Sequence, residues 1–296
     1  VFKWFLATRP WSFTMTVISA FLGGALAYSL GYSDFFLFTL TLVGLILLHA
    51  AANMTNDYYD VKHGVDRLGA ATTRYRPHPL ALGEVTPLQF RGVILGLYVS
   101  SLLIATYLAL LRGPVVLALA GAGFFFSTFY TADPLRLKHR ALGELVVFAM
   151  WGPLMTWGTF LVVSGLTNLD VMLASAPIGL LVSLVLFANN MRDMQYDASA
   201  KVTTAAALLG KAGSVAVFKA ILATAYLLVP LLVLSRILSP WCLLVFISAP
   251  KAIGLAKQFS VSIPDTADPM VAQLTTLFGI LLVAGVLAGA FLPLGW

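Results

Sequence analysis

Nine separate stretches of about 20 almost uninterrupted apolar residues run through this chain, each long enough to cross a hydrocarbon core about 30 Å thick as a helix. Their approximate bounds are 11–31, 35–56, 89–111, 114–131, 143–165, 171–192, 212–234, 238–257 and 270–293. The runs are too long and too continuously apolar for barrel strands, and backbone groups in lipid must pair within their own segment. The expected fold is therefore all-α, a polytopic membrane protein of nine transmembrane helices in a single domain, 1–296. With 60% hydrophobic and only 10% charged residues, the chain cannot build the charged shell of a soluble enzyme of this length. A single cysteine, Cys242, excludes an intrachain disulfide, and no four-ligand Cys/His cluster offers a structural zinc site. No cleavable signal peptide is read into the first residues.

Charge tests the count of spans. With alternating sides, 16 of the 18 Lys and Arg residues share the side of the N-terminus, and only Arg112 and Arg236 fall opposite. The positive-inside rule then places the basic side in the cytoplasm. Ten of the 12 acids follow, leaving Asp34 and Asp170 on the far side, so the net charge of +6 reports topology and no nucleic-acid partner is expected. The same side carries the two long loops, 60–88 and 193–211, a length usual for functional segments.

Both loops begin in carboxylates. At the end of the second span, Asn53, Asp57 and Asp60 fall at i, i+4 and i+7; at the end of the sixth, Asn190, Asp193 and Asp197 fall at i, i+3 and i+7. On a helix each trio shares one face. The text after each cluster also matches, Leu80-Ala81-Leu82-Gly83 beside Ala207-Leu208-Leu209-Gly210, and Thr131-Ala132-Asp133-Pro134 recurs as Thr266-Ala267-Asp268-Pro269 at an offset of 135. The pattern is an internal duplication, approximately 35–131 and 171–257, which would set the two clusters face to face under a cytoplasmic cap.

Carboxylates at a bilayer are expensive, and their default reading is functional. Oxygen ligands without Cys or His select Mg²⁺, Mn²⁺ or Ca²⁺, and Mg²⁺ characteristically pairs one or two carboxylates with substrate phosphates. Asp57, Asp60, Asp193 and Asp197 contribute about −4, two divalent ions about +4 and a diphosphate about −3, leaving basic groups to supply the balance. Arg67, Arg74, Arg76, Lys138, Arg192 and Lys201 lie in the right loops. A diphosphate at a greasy bundle points to a polyprenyl diphosphate, whose ionisation to an allylic cation a π-rich lining could shield. Tyr58, Tyr59 and the run Phe124, Phe125, Phe126, Phe129 and Tyr130 stand near, although the Phe run equally suits packing or an interfacial belt.

Asn56-Asp57-Tyr58-Tyr59-Asp60 resembles the first Asp-rich motif of the UbiA superfamily of intramembrane prenyltransferases, and Asp193 to Asp197 resembles its second. The resemblance extends to Arg9-Pro10, to Tyr130-Thr131 through Arg140-Ala141-Leu142-Gly143-Glu144, and to Asn189-Asn190-Met191-Arg192-Asp193. With Gly64 and Asp66 following the first motif, it is most similar to the 1,4-dihydroxy-2-naphthoate branch. That resemblance implies nine membrane helices, Mg²⁺ as cofactor held by Asp57, Asp60, Asp193 and Asp197, and transfer of a polyprenyl group to an aromatic quinone precursor. Asp66 joins the catalytic acids, orienting the acceptor or completing the metal shell. Arg9, Asn53, Asn56, Lys62, Arg67, Arg74, Arg76, Tyr130, Lys138, Asn190, Arg192 and Lys201 are the expected substrate-binding residues. The chain departs from the 4-hydroxybenzoate branch, which carries a third Asp where Gly64 stands and a Tyr-x-x-x-Lys element, whereas Tyr130 and Lys138 are eight apart. Alternative acceptors in the superfamily are 4-hydroxybenzoate, haem and a glycerol phosphate ether lipid precursor; the rival class is a secondary transporter, which also uses repeats and buried acids.

Other residues read structurally. Gly23-Gly24 with Ser12, Thr14, Thr16 and Ser19 suits close helix packing. Arg9 before Pro10 equally suits a helix start and interface anchor. His49, His63, His78 and His139 share no spacing and receive no metal role, and Cys242 is expected to face lipid.

Overall fold

Each apolar run folds as a helix, as backbone groups deprived of water require. The computed structural model describes residues 2–66, 78–199 and 202–294, and Arg67, Arg74, Arg76 and Lys201 lie outside them. A short helix, α1 (Phe2–Ala7), leads through a turn at Pro10–Ser12 into α2 (Phe13–Ser29). There follow α3 (Phe35–Lys62), α4 (Pro87–Arg112), α5 (Val115–Phe129), α6 (Gly143–Ser164), α7 (Leu169–Ser199), α8 (Ala205–Leu234), α9 (Pro240–Val261) and α10 (Ala267–Phe291). Starts are capped where the sequence allows: the Asp34 carboxylate accepts from the Leu37 amide, and Thr86 and Gln89 form a capping box ahead of α4 with Pro87 at its first position.

Two helices are longer than expected and one is shorter. α3 and α7, with 28 and 31 residues, reach about 42 and 46 Å at 1.5 Å per residue, well beyond the hydrocarbon core. The acid trios, expected to share a helix face at the ends of the second and sixth spans, do sit on these helices, in the parts that overrun the core. By contrast α5 has 15 residues, about 22 Å, too short to cross a full core. The segment 130–142 takes over where α5 stops.

The larger core joins α2, α6, α7, α8, α9 and α10 around Leu22, Phe160, Ile178, Phe218 and Phe278, while α3, α4 and α5 pack through smaller clusters. Small residues set the closest crossings, as expected for helices that associate without a hydrophobic driving force. A Cβ on Gly23 would lie 2.3 Å from the Thr156 carbonyl oxygen, and one on Gly179 would lie 2.9 Å from the Gly152 Cα. That second contact falls in the π-helical stretch Met150–Leu154 around Pro153, where the loosened α6 backbone meets α7. Cys242 does not face lipid: it is fully buried against α10, because Gly285 lets the two backbones meet there.

Candidate active site

The end of the bundle where α3, α5, α7 and α9 finish and α4, α6, α8 and α10 begin gathers the charged residues. Asp57 and Asp60 lie on the overrunning part of α3 and are 0% and 2% exposed. Arg9 bonds the Asp57 carboxylate, and the Lys138 ammonium donates to Asp60 Oδ2 at 2.8 Å. Burial opposes the charge on Lys138, yet Asp60, Tyr130 and Asp66 together outweigh it and the amine titrates above its ordinary range. Lys138 is thus a fixed cation, and it has Asp66 and Asp197 as further electrostatic neighbours.

Local backbone explains how these groups arrive. Arg9 is held in the left-handed region (φ 56°, ψ 59°), a conformation that costs a non-glycine residue on the order of 1–3 kcal/mol and gathers at functional sites. Arg136 and Ala141, also at positive φ, shape the segment that carries Lys138. Its two ends meet because the Lys138 amide donates to the Tyr130 carbonyl at 2.9 Å, so eight residues of separation still place Tyr130 beside Lys138. Burial pushes the Tyr130 phenol up, against the pull of Lys138, and keeps it protonated. The same segment is tied to the second half by the Ala141 amide, which donates to the Thr203 carbonyl at 3.0 Å.

On α7, Asp193 accepts two bonds of 2.8 Å from Arg192, whose remaining donors reach Asn189, the Asp265 carbonyl and the Asp268 carboxylate at the start of α10. Asp197 is 8% exposed, and its carboxylate has no hydrogen bond or ion pair among the described residues. A direct link joins the two halves: the Tyr196 hydroxyl donates to the Val65 carbonyl, beside Asp66.

The expected residues divide accordingly. Asp57, Asp60, Asp66, Asp197, Arg9, Tyr130 and Lys138 form one cluster, and Asn56 joins it through Thr131 at 2.7 Å. With its amide nitrogen turned to Asp60, the Asn56 oxygen accepts from Arg9 at 3.0 Å. Asn53 turns instead to the Thr8 carbonyl and Ser12, and Asn190 donates to Glu144 at 2.9 Å while its own oxygen is buried without a partner. Lys62 is exposed, its ammonium 5.3 Å from the Tyr59 ring centroid, and it makes no hydrogen bond or ion pair among the described residues. Phe124 and Phe125 are 49% and 42% exposed on the outer face, which suits an interfacial belt more than a cation shield.

Several members escaped sequence reasoning. His78 is fully buried with Nε2 3.1 Å from Asp66 and 3.9 Å from Asp57, and the three could together hold a cation. His139 Nε2 lies 3.8 Å from Asp60 Oδ1. Asp133 is held below the usual carboxylate range by hydrogen bonds from His63 and Arg136. Histidines at unrelated spacings give no signal in sequence; only the fold brings them to the acids.

The profile of the UbiA prenyltransferase family matches residues 16–277. The chain is similar to the 1,4-dihydroxy-2-naphthoate octaprenyltransferase of Bacillus subtilis, 30% identical over 295 residues, covering 96% of this chain and 92% of the relative. It is 32% identical over 285 residues to UbiA prenyltransferase domain-containing protein 1 of Danio rerio, covering 95% and 83%. Among solved structures, the apo UbiA homolog from Aeropyrum pernix K1 superposes with a TM-score of 0.73 at 17% identity, over 92% of this chain and 97% of that one. The Archaeoglobus fulgidus UbiA homolog bound to GPP and Mg²⁺ superposes with a TM-score of 0.62 at 15% identity, over 95% and 99%. These structures share the fold.

Proposed function

This chain belongs to the UbiA prenyltransferase family, and on that footing we propose that it transfers a polyprenyl group from its diphosphate to 1,4-dihydroxy-2-naphthoate or a close quinone precursor. It is an integral multi-pass membrane prenyltransferase, which sets the transporter class aside. The observation that carries the donor is the meeting of two acidic helix ends, joined by Tyr196 and threaded by Lys138, at the edge of an apolar bundle. Such a place suits a substrate with a charged head and a lipid-soluble tail. The bias of Lys and Arg to this end supports a site on the cytoplasmic side.

The donor set fits Mg²⁺. Among the described residues, Asp60 Oδ1 is buried without a hydrogen-bond partner and Asp197 has no ion pair, so oxygens remain for a hard divalent ion. Asp57, Asp60, Asp193 and Asp197 would hold it. When bound it supplies positive charge to a departing diphosphate. The chain's own residues do the rest. Arg9 and Lys138 are charged donors within the acid cluster, placed to take diphosphate oxygens. Tyr130, neutral and half-buried beside Lys138, offers a π face where positive charge develops on the prenyl carbon. The C–O bond ionises, with its electron pair leaving on the diphosphate; an electron-rich ring carbon then attacks the allylic cation to form the new C–C bond, and loss of a proton or carboxyl group restores the ring. The surrounding apolar helices keep water from the allylic cation.

The naphthoate acceptor rests on the Bacillus subtilis relative and on the Asp57 to Asp66 motif. The test is diphosphate release from geranylgeranyl diphosphate by purified protein, with and without Mg²⁺ and 1,4-dihydroxy-2-naphthoate, followed by mass analysis of the lipid. Release that needs both, with a prenylated naphthalene product, is expected. Donor binding without product would overturn the acceptor and leave the donor standing.

A further inference from the structure

His49 is buried in α3, two turns below Asp57, among side chains that read as helix packing. Thr16 Oγ1 lies 2.8 Å from its Nδ1 and Ser12 Oγ lies 3.3 Å from its Nε2. The Trp151 indole N–H donates to Thr16 Oγ1 at 3.1 Å, and the Trp151 ring stands edge-on to the imidazole at 4.9 Å. The Ser12 hydroxyl donates to the Arg9 carbonyl at 2.8 Å and accepts from the Asn53 amide at 3.0 Å.

These contacts have a direction. Ser12 has one proton, and the close contact to the Arg9 carbonyl takes it, so toward His49 the Ser12 oxygen can only accept. The imidazole must then carry its proton on Nε2. Nδ1 is left to accept from Thr16, whose oxygen is satisfied by Trp151. The opposite tautomer would turn the Ser12 proton to His49 and leave the 2.8 Å approach to the Arg9 carbonyl without a hydrogen. One chain of donors thus runs from Trp151 through Thr16, His49 and Ser12 to the carbonyl of Arg9. That carbonyl belongs to the left-handed residue whose guanidinium holds Asp57.

We propose that His49 is a positioning residue: as the Nε2–H tautomer it fixes Ser12, and Ser12 fixes the left-handed backbone of Arg9 so that its guanidinium meets Asp57. For its kinetic readout this rests on the prenyl-diphosphate reading of the same site; its spectroscopic readout does not.

The experiment has two arms. In protein labelled with ¹⁵N-histidine, the His49 signals are assigned by their loss in His49→Gln. They should report a protonated Nε2 and an unprotonated Nδ1, and Ser12→Ala should shift the Nε2 signal more than the Nδ1 signal. In the second arm, His49→Phe should lower kcat/KM for geranylgeranyl diphosphate about tenfold, mostly through KM, the scale of one hydrogen bond supporting a charged group. His49→Gln, which can donate through Nε2 and accept through Oε1, should recover to within about threefold. Because His49 acts through Ser12, His49→Phe should change kcat/KM less than about twofold in a Ser12→Ala background. A protonated Nδ1, or additive losses in the double variant, would overturn the proposal. If the wild type releases no diphosphate, the function reading fails and the tautomer still decides the network; if His49→Phe does not fold, the tautomer and Ser12→Ala, which should lower kcat/KM about tenfold and mostly through KM, decide the proposal.

Discussion

At the end of α3, Asp57 and Asp60 are each gripped from far along the chain, by Arg9 and Lys138, whereas at the end of α7 Asp193 is gripped by its neighbour Arg192 and Asp197 by no described residue. We propose that 35–131 and 171–257 are two copies of one unit, and the difference then has a definite origin. Gly83 and Gly210, matched in sequence, both stand at positive φ (70° and 64°), Gly83 just before α4 and Gly210 at a kink in the first turns of α8. The two Thr-Ala-Asp-Pro turns also correspond: Asp133 meets His63, and Asp268 meets Arg192. Ala267, the first residue of α10, matches Ala132, yet α6 begins only at Gly143. The first copy therefore carries extra chain between turn and helix, and that chain contains Lys138 and His139. The chain after the first unit reaches back into the site, while at the second end the Asp197 carboxylate has no ion pair among the described residues. The first end is held by partners from far along the chain, and the second by its sequence neighbour.

The largest expected effect tests whether the two ends make one site. Asp57→Ala and Asp193→Ala should each lower turnover by about 10³-fold or more with the bundle still folded, and the double variant should lose little beyond either single one, as groups acting together do. Losses that multiply would separate the ends. Next comes stability, where the ends should differ in sign. Asp60→Asn strands the Lys138 ammonium and should cost about 3 kcal/mol, read as a lower Tm in detergent, because breaking a buried pair leaves a charge uncompensated. Asp197→Asn removes a buried carboxylate that no described residue holds in an ion pair and whose charge burial opposes, so Tm should hold or rise although activity falls. Equal drops in Tm would erase the contrast. Smaller again, Asp268→Asn takes from Arg192 one of its two carboxylate partners and should weaken apparent Mg²⁺ activation about tenfold, the usual scale for groups that orient a ligand. Asp133→Asn at the matching turn is half exposed and should change it less than about twofold.

The parts of this molecule that could be read from sequence are those set by near neighbours. Nine apolar runs appear as helices because each satisfies its own backbone, and both acid trios are visible because four residues of spacing define a helix face. Helix ends were less legible. The polar residues from Asn53 to Lys62 signal an exit from lipid, which does not require an exit from the helix, and α3 continues through them. Least legible were long-range partners. His78, His139, Glu144 and Asp268 reach the site through loop closure and helix crossings, and Tyr130 and Lys138 meet only because the backbone between them doubles back. Cys242 was misplaced for the same reason, since a glycine 43 residues away, Gly285, decides that it is buried.

The smallest effect is a pH response that only the first end should show. Lys138 in the folded protein titrates above its ordinary value of 10.5, burial opposing the charge and Asp60, with Tyr130 and Asp66, more than restoring it. A group whose folded pKa is raised contributes stability that is fully present below its unfolded value and is lost as pH rises through the folded one. The Tm gap between wild type and Lys138→Met should therefore be flat between about pH 6 and 9 and narrow only on the alkaline side of the ordinary lysine value. Among the described residues Asp197 has no lysine in an ion pair, so the gap between wild type and Asp197→Asn should show no such alkaline narrowing. A Lys138→Met gap that closes near neutral pH would mean that Asp60 does not hold the ammonium charged, and the loop unique to the first copy would then have some other use.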